Sequence, residues 1–151
     1  MQYYTNILVR KGGKKVKNYF HSGALILRVL LGITFFAHGV DKYQAGIGNI
    51  AGWFESIGIP GFMAYVVASI ELIGGIALIL GFGTRIVSAL LAIILLVATF
   101  KVKLAVGFFG NGQMAGYELD LSMMGIAIYL LLNGSNLLSI DSLFKKGQKT
   151  A

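Results

Sequence analysis

Residues 61–82 form an unbroken apolar run with one charged side chain, Glu71, near its middle. Crossing a bilayer takes about 20 apolar residues. A carboxylate at that depth costs roughly 2.5–3.5 kcal/mol on insertion scales. The run therefore predicts a transmembrane helix whose carboxylate faces protein, where a cation, a hydrogen bond or a proton neutralises it. The rest of the chain has to supply that interior.

Three further apolar runs are available for the purpose. With 61–81, the predicted spans are about 22–40, 85–104 and 119–140. The chain is 56% hydrophobic and 13% charged, where a soluble domain is about one quarter charged. The expectation is an all-α membrane protein, a four-transmembrane-helix bundle over 21–141. A basic arm (1–20) and a basic tail (142–151) flank it. The arm is expected to be partly disordered, with Tyr3, Tyr4, Tyr19 and Phe20 able to rest at the interface. Ala37-His38-Gly39 makes a poor cleavage site, so the first run is read as a retained span and not a signal peptide. The sequence contains no cysteine, which excludes disulfides, thiol redox chemistry, Cys-ligated zinc and iron–sulfur clusters on these residues.

The net charge of +7 is concentrated at the two ends. No nucleic-acid-binding motif accompanies it, so the partner it implies is anionic lipid. Arg10, Lys11, Lys14, Lys15, Lys17, Arg85, Lys145, Lys146 and Lys149 fall on one side of the spans. Only Lys42, Lys101 and Lys103 fall on the other. The positive-inside bias predicts a multi-pass cell (plasma) membrane protein with both termini cytoplasmic.

The connections carry their own signals. In the loop 41–60, Ile50, Trp53, Phe54 and Ile57 follow i, i+3, i+4, i+7. They predict a short amphipathic helix in this first extracytoplasmic loop, resting in the interface or closing over a cavity. Gly81, Gly83 and Thr84 suit a tight link, with Thr84 expected to cap the third span. Ser88, Ala92 and Thr99 form a small-residue seam on that span. The Gly-rich loop 105–118 lacks both a preceding strand and a Walker lysine, so a phosphate site is rejected. Glu118 and Asp120 suit the start of the fourth helix.

Arg28, Gly32, Phe35, His38, Gly39 and Lys42 lie on one stripe of the first span; Ala64, Ala68, Glu71 and Gly75 share a face of the second. At about 1.5 Å per residue, Arg28 and Glu71 come within about one turn of each other in depth. They are expected to be buried partners, with His38, Lys42, Glu118, Asp120, Lys101 and Lys103 nearer the outer mouth. Two roles fit the Arg28–Glu71 pair: holding helices in register, or lining a polar cavity. Asp120 as a cap and His38 as a helix–helix hydrogen-bond donor are the corresponding structural roles.

In the cavity reading, Phe35, Phe36, Tyr65, Phe100, Met123 and Met124 form walls for a flat apolar molecule with polar oxygens, such as a quinone. Glu71 and His38 would handle protons, and Arg28, Lys42 and Asp120 would bind the ligand. A haem is disfavoured, because His21 and His38 sit about five turns apart on one span. A metal site of Glu71, His38 and Asp120 has no local ligand motif.

These residues resemble the DoxX family of small four-span membrane proteins. The resemblance rests on Arg28 with Gly32, His38-Gly39-x-x-Lys42, Glu71-x-x-Gly74-Gly75, Gly81-x-x-Thr84-Arg85, and Glu118 with Asp120. It covers about residues 22–140. It implies a four-helix bundle associated with redox processes, as a subunit of a quinone-linked oxidoreductase or a membrane partner in oxidative or quinone-stress defence. The chain shows no electron carrier of its own, so a soluble redox partner is expected. A non-enzymatic small-molecule carrier and a membrane scaffold for soluble redox enzymes are the alternatives.

Overall fold

The computed structural model describes the backbone of residues 2–147 and the side chains of residues 19–143. The order is α1 (Gln2–Gln44), α2 (Ile47–Ser56), α3 (Phe62–Leu80), α4 (Thr84–Ala98), a π-helical turn (Thr99–Lys103), α5 (Tyr117–Asn133) and α6 (Ile140–Gly147). Among the described residues the only β-type pairing is an isolated bridge between Gly110 and Ala115. Among the described residues, three segments are long and apolar enough to cross a membrane: Tyr19–Gln44, Phe62–Leu80 and Thr84–Lys103. The arm expected to be partly disordered is helical from Gln2, continuous with the first span. Its tyrosines at positions 3 and 4 and its five basic side chains lie outside the described side chains, as do Lys145, Lys146 and Lys149.

Burial follows helical spacing. Ala64, Ala68, Glu71, Gly74, Gly75 and Leu78 are buried on α3; Thr84, Ser88, Leu91 and Leu95 on α4; Asp120, Met123, Ala127 and Leu130 on α5. The opposite faces expose Ile73, Ile76, Ile86, Ile93 and Leu132. Apolar residues on all sides are what a helix between protein and lipid requires. The most extensive packing is α1 against α3 and α4 against α5, with α3–α4 and α1–α5 contacts joining the two pairs.

Glycine sets how α1 meets α3. A Cβ on Gly75 would lie 2.5 Å from the Phe36 nitrogen and 2.7 Å from the Gly32 oxygen. One on Gly39 would lie 2.6 Å from the Leu72 nitrogen. The two backbones therefore touch directly, as small-residue membrane interfaces allow.

The link from α3 to α4 closes as the sequence suggests at one end only. Gly81 takes φ 71°, and Phe82 N–H donates to Ala77 O while Gly81 N–H donates to Leu78 O, a Schellman motif. Thr84 does not cap α4; its buried hydroxyl has no hydrogen-bond partner. Asp141 does so from α6, accepting the Gly83 N–H at 2.9 Å and the Thr84 N–H at 3.3 Å.

The fourth apolar run is not helical to residue 140. α5 has 17 residues and stops at Asn133, where Gly134 takes φ 67° and its N–H closes onto Leu130 O at 2.7 Å. The stretch Asn133-Gly134-Ser135-Asn136 favours turns over helix.

Candidate functional site

Arg28 and Glu71 are not partners. The glycine contacts set the register: Gly39 is level with Leu72, and Gly32 with Gly75 and Ile79. Arg28 therefore reaches the other end of α3, beside Gly81. Its guanidinium, 1% exposed, donates to Ser135 O (3.2 Å), Ser135 Oγ (3.4 Å), Leu137 O (3.3 Å) and Leu138 O (2.7 Å). Leu138 has φ 46°, the left-handed region that costs a non-glycine residue about 1–2 kcal/mol. Arg28 thus clasps the turn between α5 and α6 and does not line the cavity described below.

Glu71 pairs instead with Lys42, whose Nζ donates to Oε2 at 2.6 Å. A depth count from the edges of the apolar runs missed this, because hydropathy edges do not define helix register. The contact between Gly39 and Leu72 does, and it brings Lys42 over Glu71. His38, one turn from Lys42, meets Phe35 edge-on with centroids 6.3 Å apart.

A second ion pair lies on the other half. Lys103 Nζ is 2.6 Å from Asp120 Oδ2. The ammonium approaches off the hydrogen-bonding direction, so this buried oxygen has a neutralising charge but no aligned donor. The π-helical turn, closed by Leu104 N–H to Thr99 O at 2.9 Å, widens the helix by one residue. It brings Val102 and Lys103 to the inner side while Lys101 stays exposed. π-turns of this kind are frequent at functional sites. Lys103 was legible only as a residue at the depth of Asp120.

Both pairs line one cavity of about 400 Å³. Its polar lining is His38, Lys42, Glu71, Lys103 and Asp120, with the indole of Trp53 beside them. Otherwise its walls are apolar: Phe35 from α1, Met63 and Val67 from α3, Ile94 and Leu95 from α4, and Met123 from α5. Trp53 and Phe54 line it from α2, Ile57 from the turn after that helix, and Met114 and Ala115 from the loop before α5. That loop is folded back by Asn111, whose Oδ1 accepts the Gln113 and Met114 N–H groups at 3.1 and 2.9 Å. Of the other expected wall residues, Phe36, Tyr65 and Phe100 are exposed on outer faces, and Met124 packs against the core cluster. Among the described residues no three His, Asp or Glu side chains converge as a metal set.

The sequence matches the DoxX family over residues 23–104, from α1 through the π-helical turn. A Bacillus subtilis protein named "Putative oxidoreductase CatD" is 46% identical over 130 residues, 86% of this chain and 92% of that protein. The chain belongs to the DoxX family. The inner membrane protein YqjF of Escherichia coli is 31% identical to this DoxX chain over 124 residues, 82% of the chain and 93% of YqjF. An uncharacterised membrane protein of Mycobacterium tuberculosis is 31% identical over 134 residues, 81% of each. No solved structure matches it. The matched region includes Arg28, His38, Lys42, Glu71 and Lys103; Asp120 lies beyond it.

Proposed function

We propose that this DoxX protein is a redox-associated component of the cell membrane that binds a quinone or catechol-like molecule in the cavity. One observation carries the reading. A space of about 400 Å³, apolar on most sides, is lined by two ion pairs with buried carboxylates and by a histidine. Small-molecule sites have this size and this mixture of apolar walls with a few placed polar groups. Intramembrane charges are costly, so they mark functional positions by default. Lys42 binds a ligand oxygen; the Lys42–Glu71 pair holds a proton for that oxygen, and His38 exchanges it at the rim. Asp120 acts through Lys103. Reducing a quinone takes two electrons and two protons; a soluble redox partner supplies the electrons.

Trp53 is the only tryptophan in the sequence and lines the cavity, so quenching of its fluorescence reports occupancy. Titrating the purified protein with 2,3-dimethyl-1,4-naphthoquinone is expected to quench Trp53 saturably. Lys42→Met with Glu71→Gln, which leaves no orphan charge, is expected to weaken binding at least tenfold at unchanged helicity. Equal binding by the double variant would remove this site.

We also propose that α5 is a fourth crossing. Its 17 residues span about 25 Å, and the side-chain clasp by Arg28 returns the chain to the cytoplasmic end. In this topology α2 rests at the outer interface, over the cavity mouth. Introduced cysteines give the test, since the sequence has none of its own. Ser56→Cys and Gln113→Cys should react with an impermeant maleimide on intact cells, whereas Phe82→Cys and Asn136→Cys should not. Labelling of Asn136→Cys from outside would abolish the fourth crossing, and a fully reversed pattern would invert the orientation.

A further inference from the structure

α3 and α4 touch at one end of their hairpin and part at the other. Near the link, a Cβ added to Gly74 would lie 3.0 Å from Val87 Cγ1, so the two helices are close there. The stripe of α3 that carries Gly74 also carries Val67 and Met63, seven and eleven residues back. The stripe of α4 that carries Val87 runs on to Ile94 and Val97, seven and ten residues further. Met63, Val67, Ile94 and Val97 all line the cavity. The facing stripes that meet beside the link therefore stand apart beyond it, and the cavity occupies the gap.

The gap is open on its outer side. Ile93 and Val97 line the cavity and yet are 57% and 44% exposed. They belong to a segment long and apolar enough to cross a membrane. Nine and thirteen residues beyond Thr84, they stand about 14 and 20 Å along a segment of about 30 Å. That is hydrocarbon depth. The rim formed by Met63, Val67, Ile93 and Val97 carries no charge and no hydrogen-bonding group. His38 also lines the cavity and is exposed, so the rim on α1 is polar where this one is apolar.

We infer that the cavity has a side slot between α3 and α4 through which its ligand enters from the bilayer, and that the ligand carries an apolar chain that stays in the slot while its polar end meets the ion pairs. Met63, Val67, Ile93 and Val97 are then the residues that select the chain, whatever polar group it bears. A chain in the slot passes from apolar side chains into lipid and meets no water, whereas a chain directed past His38 crosses a polar rim. In the topology proposed above, α2 and the loop before α5 line the end of the cavity toward water, which leaves the slot as the entrance within hydrocarbon. This deepens the cavity reading and rests on it.

Two probes that share a ring test it on the full chain in lipid nanodiscs: 2,3-dimethyl-1,4-naphthoquinone and 2-decyl-3-methyl-1,4-naphthoquinone. Both are followed by Trp53 quenching at one lipid-to-protein ratio, so partitioning into the bilayer is common to every variant. Ile93→Phe with Val97→Phe is expected to weaken binding of the decyl compound at least tenfold and to leave the dimethyl compound within about twofold. Ile86→Phe, exposed on the same helix but off the cavity, is expected to change neither. Unchanged decyl binding in the double variant would overturn the slot and leave the cavity reading standing, as would wild-type binding of the dimethyl compound alone. Equal loss of both compounds would also overturn it, by placing the ring and not the chain against these residues. Saturable binding of neither compound to the wild type would bring down the cavity reading and the slot together. A second measurement needs no variant. A decyl compound with a diazirine midway along its chain is photolysed on the wild-type protein, and adducts are mapped by mass spectrometry. They are expected on residues 63–67 and 93–97 and to be suppressed by excess unlabelled compound. Adducts confined to other segments, or not displaced, would exclude the slot even if the double variant does not fold.

Discussion

Replacing Arg28 with Ala is expected to cost the protein about 3 kcal/mol of stability, from lost hydrogen bonds to a charged donor. That is a large share of a typical net stability of about 5–15 kcal/mol. The guanidinium makes four contacts, three of them to backbone carbonyls of Ser135, Leu137 and Leu138. Those carbonyls belong to the turn between α5 and α6, where helical bonds are missing. Without the clasp, the left-handed conformation of Leu138 loses the bond that holds it. Asp141, which caps α4 from α6, then loses its placement. Arg28→Lys is expected to recover only part of the loss, because an ammonium lacks the fork that reaches several carbonyls at once. Denaturant titration of purified protein in detergent measures both variants. Stability equal to wild type in Arg28→Ala would remove the clasp. Ligand binding at the cavity is expected to persist wherever the variant remains folded, since Arg28 does not line it.

Gly75→Leu is expected to abolish the folded bundle. The first atom of any side chain there meets the α1 backbone at Phe36 and Gly32, at 2.5 and 2.7 Å. Backbone cannot rotate aside as a side chain would, so α1 must lift off α3. Overpacking costs typically 1–3 kcal/mol where side chains can give way, and here they cannot. Separation of the helices also draws Lys42 away from Glu71, leaving a buried carboxylate unpaired. Even Gly75→Ala is expected to lower stability measurably. Gly23→Ala and Gly125→Ala are the controls. An added Cβ at either meets nothing within 4 Å, and replacing helical Gly with Ala stabilises by up to about 1 kcal/mol. Chromatographic recovery of a monodisperse species, together with its melting temperature, separates the two outcomes. A Gly75→Leu protein as stable as the controls would mean that α1 and α3 do not meet as described.

The stripes on α1 and α3 were legible because burial in an apolar helix follows small and polar residues at three- and four-residue spacing. Arg28, Gly32, Phe35 and Gly39 are buried on one helix, and Ala64, Ala68, Glu71 and Gly75 on the other. The partner of Glu71 was not legible. Its identity depends on how far α1 slides along α3, and a slide of two turns leaves every hydropathy signal unchanged. The clasp of Arg28 escaped for the same reason, since its acceptors are main-chain carbonyls more than a hundred residues away. Main-chain groups have no sequence signature.

By itself, the sequence determined that this chain enters a membrane, which faces of its helices turn inward, and that Glu71 needs a partner. Transfer energies and helical period act locally, residue by residue, and can be read without a structure. Only the tertiary structure decided that Lys42 is that partner, that Arg28 closes the far end, and that a widened turn sets Lys103 against Asp120. Those pairings follow from backbone contacts at single glycines and from one extra residue in a helical turn. Such details choose between registers that the apolar pattern leaves equivalent.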